Sequence, residues 1–127
     1  MATNLKVLIL DDEPIVCARL KPALEKEGYQ VEIFTDSRRA YERIAEYRFD
    51  IVVTDLKMSN IDGMQLFGFV KEKWPDTEVI IITGFATVEI TREALKSGVR
   101  DVIAKPFKIA HLKDTIGKLA AEMMRDK

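Results

Sequence analysis

The sequence predicts an α/β fold in three layers, a five-stranded parallel sheet with helices on both faces. Three observations carry this prediction. Short apolar runs rich in β-branched residues occur five times, at 5–10, 31–34, 51–54, 79–83 and 102–104. After each of them, apolar residues recur every three to four positions, the spacing of one helix face. Turn residues punctuate the segments: Gly28 and Gly98 stand where helices should stop, and Asp36 or Ser37, Asp62 and Thr87 or its neighbours where they should start. Five strands alternating with five helices require a parallel sheet joined by right-handed crossovers.

The runs at 5–10, 51–54 and 79–83 are nearly unbroken apolar stretches, as strands buried on both faces must be. The run at 31–34 is interleaved with Gln30, Glu32 and Thr35 and reads as an edge strand. The first helix presents Val16, Leu20, Ala23 and Leu24, with Cys17 as a packed small hydrophobe. The second presents Ala40, Tyr41, Ile44 and Ala45, and the third Leu66, Phe67 and Val70 before ending at Trp74-Pro75. The fourth presents Ala86, Ile90 and Ala94. The fifth has the clearest face, Ile109, Leu112, Ile116, Leu119, Ala120 and Met123, with Lys and Asp between them and a solvated His111 at its start.

No repeat and no Ser/Gly/Pro-rich linker interrupts the pattern, so residues 1–127 read as one domain. Apolar types make up 47% and charged types 32%, which excludes a disordered chain. A net charge of −1 supplies no field for unaided nucleic-acid binding. No apolar run approaches the roughly 20 residues of a membrane span, and a signal peptide is lacking; the expectation is a cytosolic protein with no membrane partner. A lone Cys17 excludes an internal disulfide and a thiolate zinc cluster, and a lone His111 excludes multi-histidine metal sites.

In open α/β sheets ligands bind beyond the carboxyl ends of the strands. Those ends are polar here: Asp11, Asp12 and Glu13 after the first, Asp55 at the third, Thr83-Gly84 at the fourth, Lys105-Pro106 at the fifth. Taken singly, the Asp and Thr residues would cap helices, the acidic run would suit a helix dipole, and Lys105 would be a solvated surface lysine. Taken together they describe one pocket. Its clustered carboxylates repel one another unless a cation joins them. Oxygen ligands with no soft donor suit a hard ion, and Mg²⁺ takes one or two carboxylates, several waters and a phosphate oxygen. A phosphoryl group is therefore the implied ligand, with Lys105 neutralising its charge, Thr83 donating a hydrogen bond, and backbone N–H groups completing the cradle. No Gly-rich triphosphate loop is present, whereas a carboxylate can itself accept a phosphoryl group.

The segments LKVLILDDEP, DIVVTDLKMSNIDGMQL, VIIITGFAT and SGVRDVIAKPF resemble, in order and spacing, the receiver domains of bacterial two-component response regulators. The resemblance covers essentially the whole chain. It implies a flavodoxin-like, doubly wound sheet of order 2-1-3-4-5. It implies that Asp55 is the phosphoacceptor, attacking the phosphohistidine of a histidine kinase to form an acyl phosphate. Asp12, Asp55 and the backbone carbonyl of Lys57 would ligate Mg²⁺ directly, with Asp11 acting mainly through water. Thr83 would be the switch hydroxyl and Lys105 the lysine that pairs with a phosphoryl oxygen, its entry fixed by a cis bond to Pro106. Gly63 would be the glycine of the loop after the acceptor. The implied partners are a histidine kinase or phosphotransfer protein and a downstream protein or output domain, with a homodimer as a further option. The chain is either a stand-alone receiver or a piece of a longer regulator. Such a module catalyses its own phosphorylation by small acyl phosphates and its own dephosphorylation, but its product is the modified protein, so it is not a conventional enzyme.

Four positions bear on this resemblance. The family usually carries an aromatic residue three positions before the lysine, where Val102 stands, so the Tyr/Thr rotor is absent. The expectation is that Thr83 moves while the helix-four to helix-five surface changes less, or through Phe85 or Phe107. Ser59 replaces a common proline and should loosen the loop after Asp55. Lys57 and Phe85 should flank the pocket mouth, where a bulky Phe85 slows hydrolysis. Two rivals are a degenerate, phosphorylation-independent docking domain, which usually lacks one of the site residues retained here, and a Mg²⁺-dependent aspartyl phosphohydrolase. The latter resembles D-x-D and needs an acid where Lys57 stands.

Overall fold

In the computed structural model, which describes residues 4–58 and 61–125, each apolar run of the sequence becomes a strand and each periodic stretch a helix. The order is β1 (Lys6–Leu10), α1 (Pro14–Glu25), β2 (Gln30–Phe34), α2 (Ser37–Glu46), β3 (Ile51–Asp55), α3 (Gly63–Lys73), β4 (Glu78–Thr83), α4 (Val88–Ser97), β5 (Asp101–Ala104) and α5 (Ile109–Arg125). All strand pairs are parallel, in the order β2-β1-β3-β4-β5. The winding reverses at β1 and β3, where the register sets Leu10 opposite Thr54. Asp11 and Asp55, one residue further along, consequently stand side by side at the carboxyl ends of β1 and β3.

Alternation along the strands builds two apolar layers. Val7, Ile9, Val53, Ile80, Ile82 and Ile103 pack with Leu20 and Leu24 of α1 and Leu112, Ile116 and Leu119 of α5. Leu8, Leu10, Val52, Val79 and Ile81 pack on the other face with α2, α3 and Ala94 of α4. The expected edge strand lies at the edge, where Glu32 accepts two hydrogen bonds of 2.8 Å from Arg43, whose guanidinium also stacks over Tyr47.

The helix ends follow the punctuation. Asp36 accepts from the Arg38 N–H, Thr87 from the Ile90 N–H, and Asp62 forms a reciprocal capping box with Gln65. Gly98 closes α4 at φ 115°, a left-handed conformation that disfavours any side chain. Ala86 lies in the loop before α4 rather than on its face. Trp74 caps α3 and its indole N–H donates to the Ile44 carbonyl at 2.7 Å, tying α3 to α2 at the end remote from Asp55. Cys17 is wholly buried beside the carbonyls of Asp11 and Phe34, and burial raises its thiol pKa, so it packs as a neutral group.

Gly63 meets a different demand. A Cβ there would lie 2.5 Å from the Asp55 carbonyl oxygen and 3.0 Å from the Leu56 Cα, because the Gly63 N–H donates to the Leu56 carbonyl at 2.8 Å. Gly68, exposed on the same helix, has nothing near its Cβ position. Gly63→Ala is expected to destabilise by about 2 kcal/mol through backbone displacement, and Gly68→Ala to stabilise by about 0.5–1 kcal/mol through helix propensity. Urea denaturation of the two variants should show these opposite signs.

Candidate functional site

Four strand ends supply the site. Asp11 continues β1, its N–H donating to the Phe34 carbonyl at 3.1 Å, and its side chain is wholly buried. Oδ1 accepts the Glu13 N–H at 2.9 Å. Oδ2 lies 2.7 Å from the Lys105 Nζ, a close ion pair whose angles are not those of a hydrogen bond. Asp55 ends β3 and is almost as buried. Lys105 follows β5, held by its own N–H to the Thr83 carbonyl at 2.8 Å, and its Nζ donates to Asp55 Oδ2 at 2.9 Å and Glu13 Oε1 at 3.1 Å. The Lys105-Pro106 bond is cis.

Asp11, Asp12 and Asp55 each place a carboxylate oxygen within 4.8 Å of the others. An all-oxygen donor set of this kind fits a hard divalent cation, and the buried Oδ2 of Asp11, which has no hydrogen bond, is an acceptor that a water of such an ion would satisfy. Burial raises the pKa of Asp11 against the lowering effects of Lys105 and the Glu13 N–H, and the neighbouring Asp55 charge raises it further. Burial by itself would lower Lys105. Its close contacts with Asp11, Asp55 and Glu13 overcome that and raise its pKa above the ordinary lysine value, so it stays charged at neutral pH.

Thr83 is wholly buried at the end of β4, opposite Ala104, and its Oγ1 accepts the Phe85 N–H at 3.0 Å; among the described residues no hydrogen bond joins it to Asp55. Lys57 and Phe85 do stand together, Nζ 5.9 Å from the ring, with the ring exposed. Val102 is half-buried and lines a cleft of about 330 Å³ with Leu56, Met64, Ile81, Ile90 and Ala94. Ser59 lies outside the described residues. Phe107 packs against the α1/α5 layer. Sequence reasoning included Glu13 in the acidic run but missed its bond to Lys105; the available signal was a Glu, a poor capping residue, at the start of α1.

Fold and pocket together define a doubly wound α/β protein with an acidic, lysine-bridged site at the switch point of its sheet. The family profile of the response regulator receiver domain matches residues 7–117. The receiver protein CpdR of Brucella abortus is 34% identical over 114 residues, covering 90% of this chain and 92% of that protein. The transcriptional regulatory protein ZraR of Escherichia coli is 34% identical over 118 residues, 93% of this chain but 27% of ZraR. The chain thus spans about a quarter of the length of the ZraR regulators it matches. Among solved structures, a Francisella response-regulator receiver domain superposes with a TM-score of 0.87 at 30% identity, covering 94% of this chain and 99% of that one. The beryllofluoride-activated NtrC4 receiver domain dimer gives 0.86 at 35% identity, covering 92% and 97%. The chain belongs to the response regulator receiver domain family, a signalling domain of two-component systems. No described helix is long and apolar enough to cross a membrane.

The raised pKa of Asp11 has a consequence for stability. The folded state binds this proton more tightly than the unfolded state, so the contribution of Asp11 is present below its unfolded pKa and lost as pH rises through its folded pKa. At neutral pH the ionised, buried carboxylate therefore costs stability in metal-free protein. Asp11→Asn should raise the metal-free thermal midpoint at pH 7 by a few degrees, with the gain shrinking at acid pH in melts followed by circular dichroism.

Proposed function

We propose that Asp55 accepts a phosphoryl group from the phosphohistidine of a histidine kinase or phosphotransfer protein. A carboxylate oxygen of Asp55 attacks phosphorus, the P–N bond breaks, and the departing imidazole keeps the electron pair and takes up a proton. The observation that carries this reading is the convergence of Asp11, Asp12 and Asp55 within 4.8 Å, with Lys105 on Asp55.

Asp12, Asp55 and the Lys57 carbonyl would hold Mg²⁺, with Asp11 acting mainly through water. When bound, the ion neutralises charge on the transferring phosphoryl oxygens. Lys105 pairs its ammonium with one phosphoryl oxygen. Thr83 donates its hydroxyl proton to another, and the movement of Oγ1 toward it pulls on the Phe85 N–H that this oxygen accepts and alters the β4–α4 loop. A downstream protein or output domain reads that change, and no nucleic acid contacts this domain directly. With Val102 at β5, the response passes through Phe85 rather than through a β5 aromatic ring.

Intact-mass analysis after incubation with acetyl phosphate and Mg²⁺ tests the chemistry. The expected result is a labile phosphoryl adduct, abolished by EDTA and absent from Asp55→Asn. A folded, Mg²⁺-binding protein with no adduct, from acetyl phosphate or from a cognate kinase, would overturn it in favour of phosphorylation-independent docking. Thr83→Ala should still form the adduct, while the amide NMR shifts that phosphorylation produces around Phe85 shrink sharply. Equal shifts in both proteins would remove Thr83 from the switch.

A further inference from the structure

Glu13 is the one acid of the pocket that the proposed chemistry leaves without a task. It occupies the N-cap position of α1, yet its side chain caps nothing in that helix and reaches across to Lys105, 92 residues away in sequence. Glu caps helices poorly, which leaves this side chain free for the pocket. Its backbone N–H already serves the site by fixing Asp11 Oδ1.

The Lys105 ammonium has three protons and faces three carboxylates, at 2.7 Å for Asp11, 2.9 Å for Asp55 and 3.1 Å for Glu13. Two of those acids also belong to the cradle of Asp11, Asp12 and Asp55. Ammonium and divalent cation therefore draw on the same two carboxyl groups, and their like charges oppose close sharing. The side chains are graded from inside to outside: 0% exposed at Asp11, 10% at Asp55, 18% at Lys105 and 60% at Glu13. Glu13 is thus the most exposed of the three acids on Lys105, and the only one of them outside the cradle.

We propose that Glu13 is a positioning residue that receives the Lys105 ammonium when a divalent cation enters the cradle, and so helps set the cation affinity of the site. The inference rests on the reading of Asp11, Asp12 and Asp55 as a cation cradle. Without Glu13 the ammonium has only the cradle carboxylates as partners, and the cation must displace it with nothing to take it up.

The experiment is calorimetric titration of MgCl₂ into the wild-type chain, Glu13→Gln, Glu13→Ala, Lys105→Met and the double variants. Glu13→Gln should weaken binding roughly threefold or more, the scale of coupling between contacting charged groups. Glu13→Ala, which removes the acceptor altogether, should do at least as much. Lys105→Met should bind Mg²⁺ more tightly than wild type, and in that background either Glu13 substitution should change nothing. Unchanged affinity in the single Glu13 variants would overturn the proposal. An equal loss in both backgrounds would also overturn it, by showing that Glu13 acts on the ion directly and not through Lys105. Wild-type protein that binds no Mg²⁺ would bring down the cradle reading and this proposal together, whereas normal binding with silent Glu13 variants would remove the role of Glu13 alone.

Discussion

A carboxylate with no exposed surface, Asp11, sits next to a second one, Asp55, at the point where the sheet reverses its winding. Such a pair is tolerated only with a cation against it, because burial and mutual repulsion both favour the neutral acid. In this structure the cation is the ammonium of Lys105, delivered from the far side of the sheet by β5. The pocket is thus charge-compensated but incompletely hydrogen-bonded, since Asp11 Oδ2 has an ion-pair partner and no hydrogen bond. Those are the properties of a site that can exchange one positive group for another.

The rest of the fold serves to bring these groups together. Parallel strands all point their carboxyl ends to one side, and the order β2-β1-β3-β4-β5 sets β1 beside β3 and β4 beside β5. Gly63 lets α3 begin against the Asp55 carbonyl, where a side chain would push the loop after Asp55 outward. The two apolar layers are continuous beneath the strands and fix their register, while α4 buries only Ala94 and leaves Val88 and Leu95 exposed. The least anchored helix is therefore the one that follows Thr83. A local change at that hydroxyl would meet little resistance from packing there.

Much of this was legible in the residues because period and punctuation are local signals. The α5 stripe of Leu112, Ile116 and Leu119 and the alternation along β1 leave no other helix or strand face to bury. Asp11, Asp12, Asp55, Thr83 and Lys105 were legible because strand ends are predictable once strands are, and the resemblance of the surrounding motifs pointed to the same positions. Ala86 was misassigned to a helix face because helical spacing extends past a cap, and Thr87 ends the helix by a side-chain bond that periodicity does not register. The Glu13–Lys105 bond was hidden for a different reason: it joins an exposed rotamer to a residue 92 positions away, and no local pattern encodes such a choice.

Under the proposed function Asp55, and no other acid of the pocket, is the group that carries phosphorus. Borohydride reduction of the phosphorylated chain, followed by peptide mass mapping, addresses it directly, because an aspartyl phosphate is reduced to homoserine whereas a free carboxylate is untouched. The account predicts homoserine at position 55 alone, dependent on prior incubation with acetyl phosphate and Mg²⁺. Homoserine at Asp11 or Asp12, or a phosphoryl group that resists reduction because it sits on a hydroxyl such as Thr83, would contradict it.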